Sequence, residues 1–301
     1  MKDREERFHE EWLGLAKPYE GLVFSIPVLA DAQIAPNLDA TLTSRFERQL
    51  TPGPSEQKAR RIADLERFFA QFLGYSVPGM IVPATALAED VSFYAKEGGQ
   101  DIRPSFALAR GPFAVDDPLS TFEKLAAGPA TPLQVSAPEA VPNSRYFALV
   151  WDLDRSTSET LDLDKPENQT GSWRYPPTAK FERLLRHVRI PLGFLSNGEE
   201  LRLLYAPAGE ASAHLTFRVR DLAERAGRPL LTALDLLVHA RRNHGSAQGF
   251  TLEGLLAESR RRQADVTKDL AEQVFEAVEM LLLGFEQAAA RDASSGRVNW
   301  L

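Results

Sequence analysis

The chain has 301 residues, 44% hydrophobic and 26% charged, an ordinary soluble composition with enough apolar material for one large core or two smaller ones. It contains no cysteine, which excludes disulfides, thiolate chemistry and cysteine-based zinc or iron–sulfur sites, and leaves five histidines as the only soft ligands. The formal charge of −7 argues against a uniformly basic nucleic-acid binder, but residues 180–262 hold 14 Lys and Arg against 9 Asp and Glu, whereas residues 87–167 hold 7 against 14.

Residues 1–57 begin with a charged, helix-like start, pass through an extended stretch at Gly21–Leu29, and reach a helix opened by Asn37 with Leu38, Leu42, Phe46 and Leu50 on one stripe. A second helix is predicted from Glu56 to Leu73, carrying Ile62, Leu65, Phe69, Phe72 and Leu73 in one arc and stopping at Gly74; Glu66 lies at the edge of that arc and is expected to point inward. Val91–Tyr94 and Ser105–Ala109 read as short strands around Gly98-Gly99, and 111–143 as loop with a helical piece near Thr121–Ala127.

Tyr146–Trp151 is a run of six apolar residues, too short for a buried helix and better suited to a central strand covered on both faces. It ends in Asp152-Leu153-Asp154, and the polar stretch 155–177 that follows reads as a loop. Phe181, Leu184, Leu185 and Val188 then mark one face of a helix, with Lys180, Arg183 and Arg186 assigned to the opposite face. Asn197-Gly198 between two apolar runs predicts a tight hairpin, because both residues accept positive φ. Leu215–Val219 alternates as a half-buried strand. Beyond Arg220 the pattern is wholly helical: a short helix from Asp221 to Gly227, another with Pro229 in its first turn, and a long helix from Leu252 to about Ala290 with Val266, Leu270, Val274, Val278 and Leu281 in steps of three and four. A helix of that length is a connector or an interaction arm. The segmentation is an N-terminal arm (1–57), an α/β domain (58–220) and a helical connector (221–301).

Acidic residues at a strand end, then a packing helix and closing strands, give the element order of a restriction-endonuclease-like α/β core of the PD-(D/E)xK type with a mixed sheet. Such a core needs an Asp at one strand end and an acidic-x-Lys pair on the next strand, the carboxylates to hold Mg²⁺ and the lysine to activate water. Only Lys58 has an acidic residue two positions earlier, Glu56, and that pair opens a helix. At the motif strand stand Asp152 and Asp154, acidic at both places, and Ser105 occupies the position of the first Asp, with Asp101 four residues upstream. The fold is therefore expected to be present and cleavage lost. An active Mg²⁺ nuclease is the alternative, with Asp152 and Asp154 as ligands, Glu66 as accessory carboxylate and Lys180 as a displaced lysine. Phosphate contacts are expected from Lys180, Arg183, Arg186 and the triplet Arg260, Arg261 and Arg262. A scaffold that binds only protein, through the long helix, is a third reading.

No phosphate-binding glycine loop, dinucleotide fingerprint, nucleophile elbow, paired-histidine zinc signature or N-P-P-[YF] tetrapeptide occurs, so no cofactor is expected in this chain itself. No window is apolar enough to span a bilayer and Met1–Arg7 is not signal-like, which predicts a cytoplasmic protein with no membrane partner.

Ala179–Arg186, Ile190–Gly198, Leu201–Pro207 and Gly209-Glu210 resemble the series KFERLLR, IPxGLLTNG, LRLVYAPxGE in the N-terminal region of large restriction–modification adenine methylases, both type IIG-like enzymes and the methylase subunits of DISARM anti-phage systems. Glu11–Leu15, Gly21–Val23, Gly227–Leu230 and Leu255–Gln263 fit as well. The resemblance implies duplex DNA as a partner, a methyltransferase domain or subunit binding S-adenosylmethionine beyond this region, and a role in anti-phage defence.

Overall fold

The computed structural model describes residues 4–16, 19–21, 24–34, 39–51, 60–111, 145–153, 161–166, 174–245 and 250–294. In chain order they form helix α1 (Arg4–Leu15), strand β1 (Tyr19–Glu20), helices α2 (Ile26–Asp31) and α3 (Leu42–Glu47), and strands β2 (Leu50–Thr51) and β3 (Arg61–Ile62). Helix α4 (Leu65–Arg67) runs into a π-helical turn (Phe68–Phe72), followed by β4 (Ile81–Pro83), β5 (Phe93–Ala95), β6 (Gln100–Ile102), β7 (Phe106–Ala109) and β8 (Tyr146–Asp152). Helix α5 (Pro177–Val188) precedes β9 (Leu192–Ser196), β10 (Glu200–Tyr205) and β11 (Ala213–Arg218), and the chain continues through α6 (Val219–Ala223), α7 (Arg228–Val238) and α8 (Leu252–Ser294).

Seven strands make one mixed sheet in the order β1-β11-β10-β9-β8-β7-β4. Only β8 and β9 pair in parallel; the other neighbours are antiparallel. Parallel neighbours need a crossover, and α5 supplies it. The apolar run of β8 is interior to the sheet because both its faces are claimed. Phe147, Ala148 and Val150 enter a core with Trp12, Val28, Phe46, Phe69, Leu234 and Leu255, so α1, α2, α3, the π turn, α7 and the start of α8 all cover one face. Tyr146 and Leu149 face the other core, built on Phe181, Leu184 and Leu185 of α5 with Ile102 and Leu163. Fully burying side chains of this size contributes roughly 1.5 to 3 kcal/mol each, so the strand with two covers anchors both layers.

A hairpin forms at Asn197-Gly198, but of the two only Gly198 takes positive φ (88°), and the first pair is Ser196 with Leu201, so a four-residue loop replaces the two-residue turn. Asn197 Oδ1 accepts from the amides of Glu199 (3.0 Å) and Glu200 (2.8 Å), and Ser196 Oγ accepts from Gly198 N–H (3.0 Å), so side chains bond the turn's backbone directly. Helix α5 ends at Arg189, whose left-handed backbone (φ 57°) lets its N–H reach Leu185 O.

Several expectations need correction. Ile26–Asp31 is helical rather than extended, with Pro27 in the first turn where its missing N–H is harmless. The helix predicted over 56–73 is shorter: Arg61–Ile62 pairs with Leu50–Thr51, and the helix starts after Asp64, whose Oδ1 caps Arg67 N–H at 2.9 Å. The π turn that follows changes the angular step, and Glu66 is exposed rather than inward. Strand β4 carries no pattern at three residues, and the helix near Thr121–Ala127 falls outside the described residues. No helix among the described residues is long and apolar enough to cross a membrane.

The contact between α5 and β9 is tightest at Gly193, where a Cβ would stand 2.6 Å from Phe181 Cε1 and 2.9 Å from Leu185 Cδ1. Gly193→Ala is therefore expected to destabilise by about 1–3 kcal/mol, read as a lower urea midpoint, and adding Phe181→Leu should restore part of the loss. An unchanged midpoint in Gly193→Ala would contradict this packing.

Candidate functional site

Chemistry-bearing residues gather where β8 and β9 end and β7 begins. Ser105 precedes β7, and its Oγ accepts from Asp152 N–H at 2.9 Å while its own N–H donates to Val150 O at 2.8 Å. The hydroxyl thus completes the backbone pairing of the last residue of β8. Leu153 then donates its N–H to Ser196 O at 2.8 Å, and its side chain is buried. Residues 161–166 lie back across this end of the sheet: Leu163 is buried against α5, Asn197 Nδ2 donates to Leu161 O (2.7 Å), and Thr178 Oγ1 donates to Leu163 O (2.7 Å).

Arg202 holds the cluster together. It interrupts the otherwise apolar Leu201–Tyr205, points to the face covered by α5 and is fully buried. Its Nε donates to Thr216 Oγ1 on β11 (2.9 Å), Nη1 to Thr178 Oγ1 on α5 (2.7 Å) and to Asp164 Oδ1, and Nη2 to Asp164 Oδ2 (2.8 Å). One guanidinium therefore ties two strands, a helix start and the 161–166 segment. The bidentate pair holds the Asp164 carboxyl below its ordinary range, chiefly through the Arg202 hydrogen bonds. Burial pushes Glu200 the other way, against the pull of Arg202 and Arg218.

The residues singled out from sequence separate. Asp152 is at the sheet end, as expected, and half-buried. Asp154 lies outside the described residues. Glu66 is exposed on a helix, and Asp101 pairs with Arg103 at 2.7 Å on the β5–β6 ribbon. Among the described residues no group of three or more carboxylates or histidines could hold a metal ion. A Mg²⁺ of the nuclease type requires acidic donors from both strands; among the described residues Asp152 stands at the end of β8, and Ser105, where the first acid is expected, is a hydroxyl engaged with backbone.

The basic residues rearrange too. Lys180 is 3% exposed, on the buried side of α5 with Pro177 and Leu184 rather than on the outer face where its sequence position assigns it. Arg183 stacks on the Tyr175 ring, 4.0 Å from its centroid. Arg186 Nη2 meets Glu182 Oε1 (3.0 Å) and donates to Glu210 O (2.9 Å), while Arg260 Nη2 donates to Ala211 O (3.0 Å). Two basic segments far apart in sequence thus grip adjacent carbonyls of one loop. Arg261 and Arg262 both donate to buried Glu258, at 2.7–2.9 Å, which keeps that carboxyl below its usual range, and each also reaches a second acid, Asp265 or Asp31.

Residues 40–284 match the family model described as "MmeI, N-terminal domain". No curated protein and no solved structure matches the chain. The chain belongs to the MmeI N-terminal domain family, a family of type IIG restriction–modification methylase N-terminal regions.

The Arg202–Asp164 pair is asymmetric, with Arg202 fully buried and Asp164 54% exposed. Asp164→Ala strands a buried cation and is expected to destabilise by about 1–3 kcal/mol, the fully buried figure reduced because Asp164 is half exposed, and still by more than Arg202→Met, which leaves a carboxylate able to take up water. Because Asp164 is depressed in the folded state, the stability it contributes is present above its unfolded pKa and is lost as pH falls through the folded value. Urea titrations from neutral to acid pH should show that loss in the wild type and its absence in Arg202→Met. The reverse order of the two variants at neutral pH would refute the assignment.

Proposed function

We propose that this member of the MmeI N-terminal domain family is a DNA-holding, non-cleaving module of a restriction–modification adenine methylase. The order of its elements is helix α4, antiparallel β4, β7 and β8, crossover helix α5, then parallel β9, which is the order of a restriction-endonuclease-like core. Methyl transfer belongs, in this reading, to an S-adenosylmethionine-binding domain or subunit beyond it, within a defence system acting on foreign DNA.

The observation that carries the DNA-holding role is the meeting of Arg186 and Arg260 at one loop. It joins the basic side of α5 to the arginine triplet of α8 and makes a single surface from two stretches of a basic segment. Arginine presents five donors, so a guanidinium already holding a carbonyl or carboxylate retains donors for a phosphate oxygen. Arg183, Arg186 and Arg261 keep exposed area for this, whereas Lys180 is buried. Silence in cleavage follows from Ser105: a neutral hydroxyl bonded to backbone replaces the first metal-binding acid.

Fluorescence anisotropy with labelled duplexes tests the reading. The wild-type chain should bind unrelated sequences alike at low salt, and Arg183→Gln with Arg186→Gln and Arg261→Gln should flatten the slope of log affinity against log salt by about 2 to 3. Arg262 remains to satisfy Glu258 in that variant. Plasmid should stay intact with Mg²⁺ or Mn²⁺. Absence of duplex binding would refute DNA holding, and cleavage abolished by Asp152→Ala would establish an active nuclease instead.

A further inference from the structure

The strands from β7 to β11 share one end that is met by arginines. Their pairing brings the end of β7, the starts of β8 and β9, the end of β10 and the start of β11 together, because Ala109 pairs with Tyr146, Leu149 with Gly193, Leu192 with Tyr205 and Tyr205 with Ala213. Arg110 directly follows β7, Arg145 directly precedes β8, and Arg189 joins α5 to β9. Arg186 and Arg260 hold the carbonyls of Glu210 and Ala211 in the loop between β10 and β11. Residues from distant stretches of the chain thus form one row along this end of the sheet.

Three carboxylates stand among them. Glu253 pairs with Arg110 (2.5 Å) and Glu182 with Arg186 (3.0 Å), while Glu210, Arg145 and Arg189 are exposed, so the row keeps an excess of positive charge. The opposite end, where Asp152 lies, is balanced: Arg103 pairs with Asp101, Arg61 with Glu199 and Arg218 with Glu200. Five strands at about 4.8 Å spacing make the row about 19 Å long, which matches five to six steps of duplex at about 3.4 Å per phosphate of one strand. A single small anion needs donors that converge on one point, whereas donors set out in a row fit a repeating polyanion.

We propose that duplex DNA lies across this end of the sheet, its backbone on Arg110, Arg145, Arg186, Arg189 and Arg260. The inference rests on the DNA-holding reading and adds where the duplex sits: Arg145 and Asp152 flank β8, about 23 Å apart at about 3.3 Å per residue, so the held backbone does not pass the nuclease-type end of the sheet. Fluorescence anisotropy of a labelled duplex over a salt series tests it on the full chain. Arg145→Gln with Arg189→Gln should weaken binding at low salt and flatten the slope of log affinity against log salt by about 2. Glu210→Gln should tighten binding by about threefold, a gain that misfolding cannot mimic. Arg103→Gln with Arg220→Gln, both exposed at the opposite end, should change neither affinity nor slope. The chain has no cysteine, so a short photocrosslinker on a single introduced cysteine reports position: it should capture the duplex from Ala211→Cys and not from Asp162→Cys. With duplex binding intact in the wild type, an unchanged slope in Arg145→Gln/Arg189→Gln, weaker binding by Glu210→Gln, or capture from Asp162→Cys alone would overturn this placement and leave DNA holding in force. Polyglutamate bound as tightly as the duplex would reassign the row to an acidic protein, and no duplex binding at all would overturn both readings.

Discussion

The structure depends on one strand having both faces covered. The residues of β8 are apolar without alternation, so a single packing layer would leave half of them in water, and the sheet is stable only with helices on one side and α5 with the β5–β6 ribbon on the other. That requirement explains the path of the chain. The parallel pairing of β8 with β9 needs a crossover, the crossover is the helix that covers the second face, and Gly193 lets that helix approach the neighbouring strand closely enough to exclude water. Residues from α1 to the start of α8 close the first face, so the N-terminal and C-terminal helices share one core with the sheet.

The same constraint governs the polar end of the sheet. Backbone that leaves the doubly covered strand is largely shielded, and its groups are satisfied by Ser105, Ser196, Asn197 and Thr178. Arg202 is the extreme case: a cation with no exposed surface, tolerated because four oxygens receive its protons in planar geometry. In a nuclease-type core this region would carry metal-binding acids on two strands. Here the hydroxyl of Ser105 closes the ladder beside Asp152, and two other carboxylates near this end of the sheet, Asp164 and Glu200, pair with arginines.

Much of this fold is legible in the sequence where the periodicity is strong. The apolar run at Tyr146, the stripe from Phe181 to Val188, Asn197-Gly198 and the steps of α8 each have one satisfactory reading, and the structure adopts it. Failures occur where tertiary contact overrides local pattern. Ile26–Asp31 reads as extended by composition but forms a six-residue helix packed in the core, and Lys180 reads as solvent-facing by type but lies on the buried side of its helix with Leu184. The π turn at Phe68 displaces Glu66 from the arc that an ideal helix would give it. Arg202 was the recoverable signal, since an arginine inside Leu201–Tyr205 has to be buried with partners. Those partners, Asp164 and Thr216, come from segments whose proximity sequence spacing does not encode.

The central claim is that β8 is the strand on which both layers close, so that its amides open only when the whole sheet does. Native-state hydrogen exchange across a urea series measures this directly. The amides of Ala148–Trp151 should exchange with the free energy and urea dependence of global unfolding, while those of α8 beyond Arg262 exchange through local opening. Exchange of Ala148–Trp151 through an opening smaller than global unfolding would show that the two layers separate without this strand, and would contradict the account.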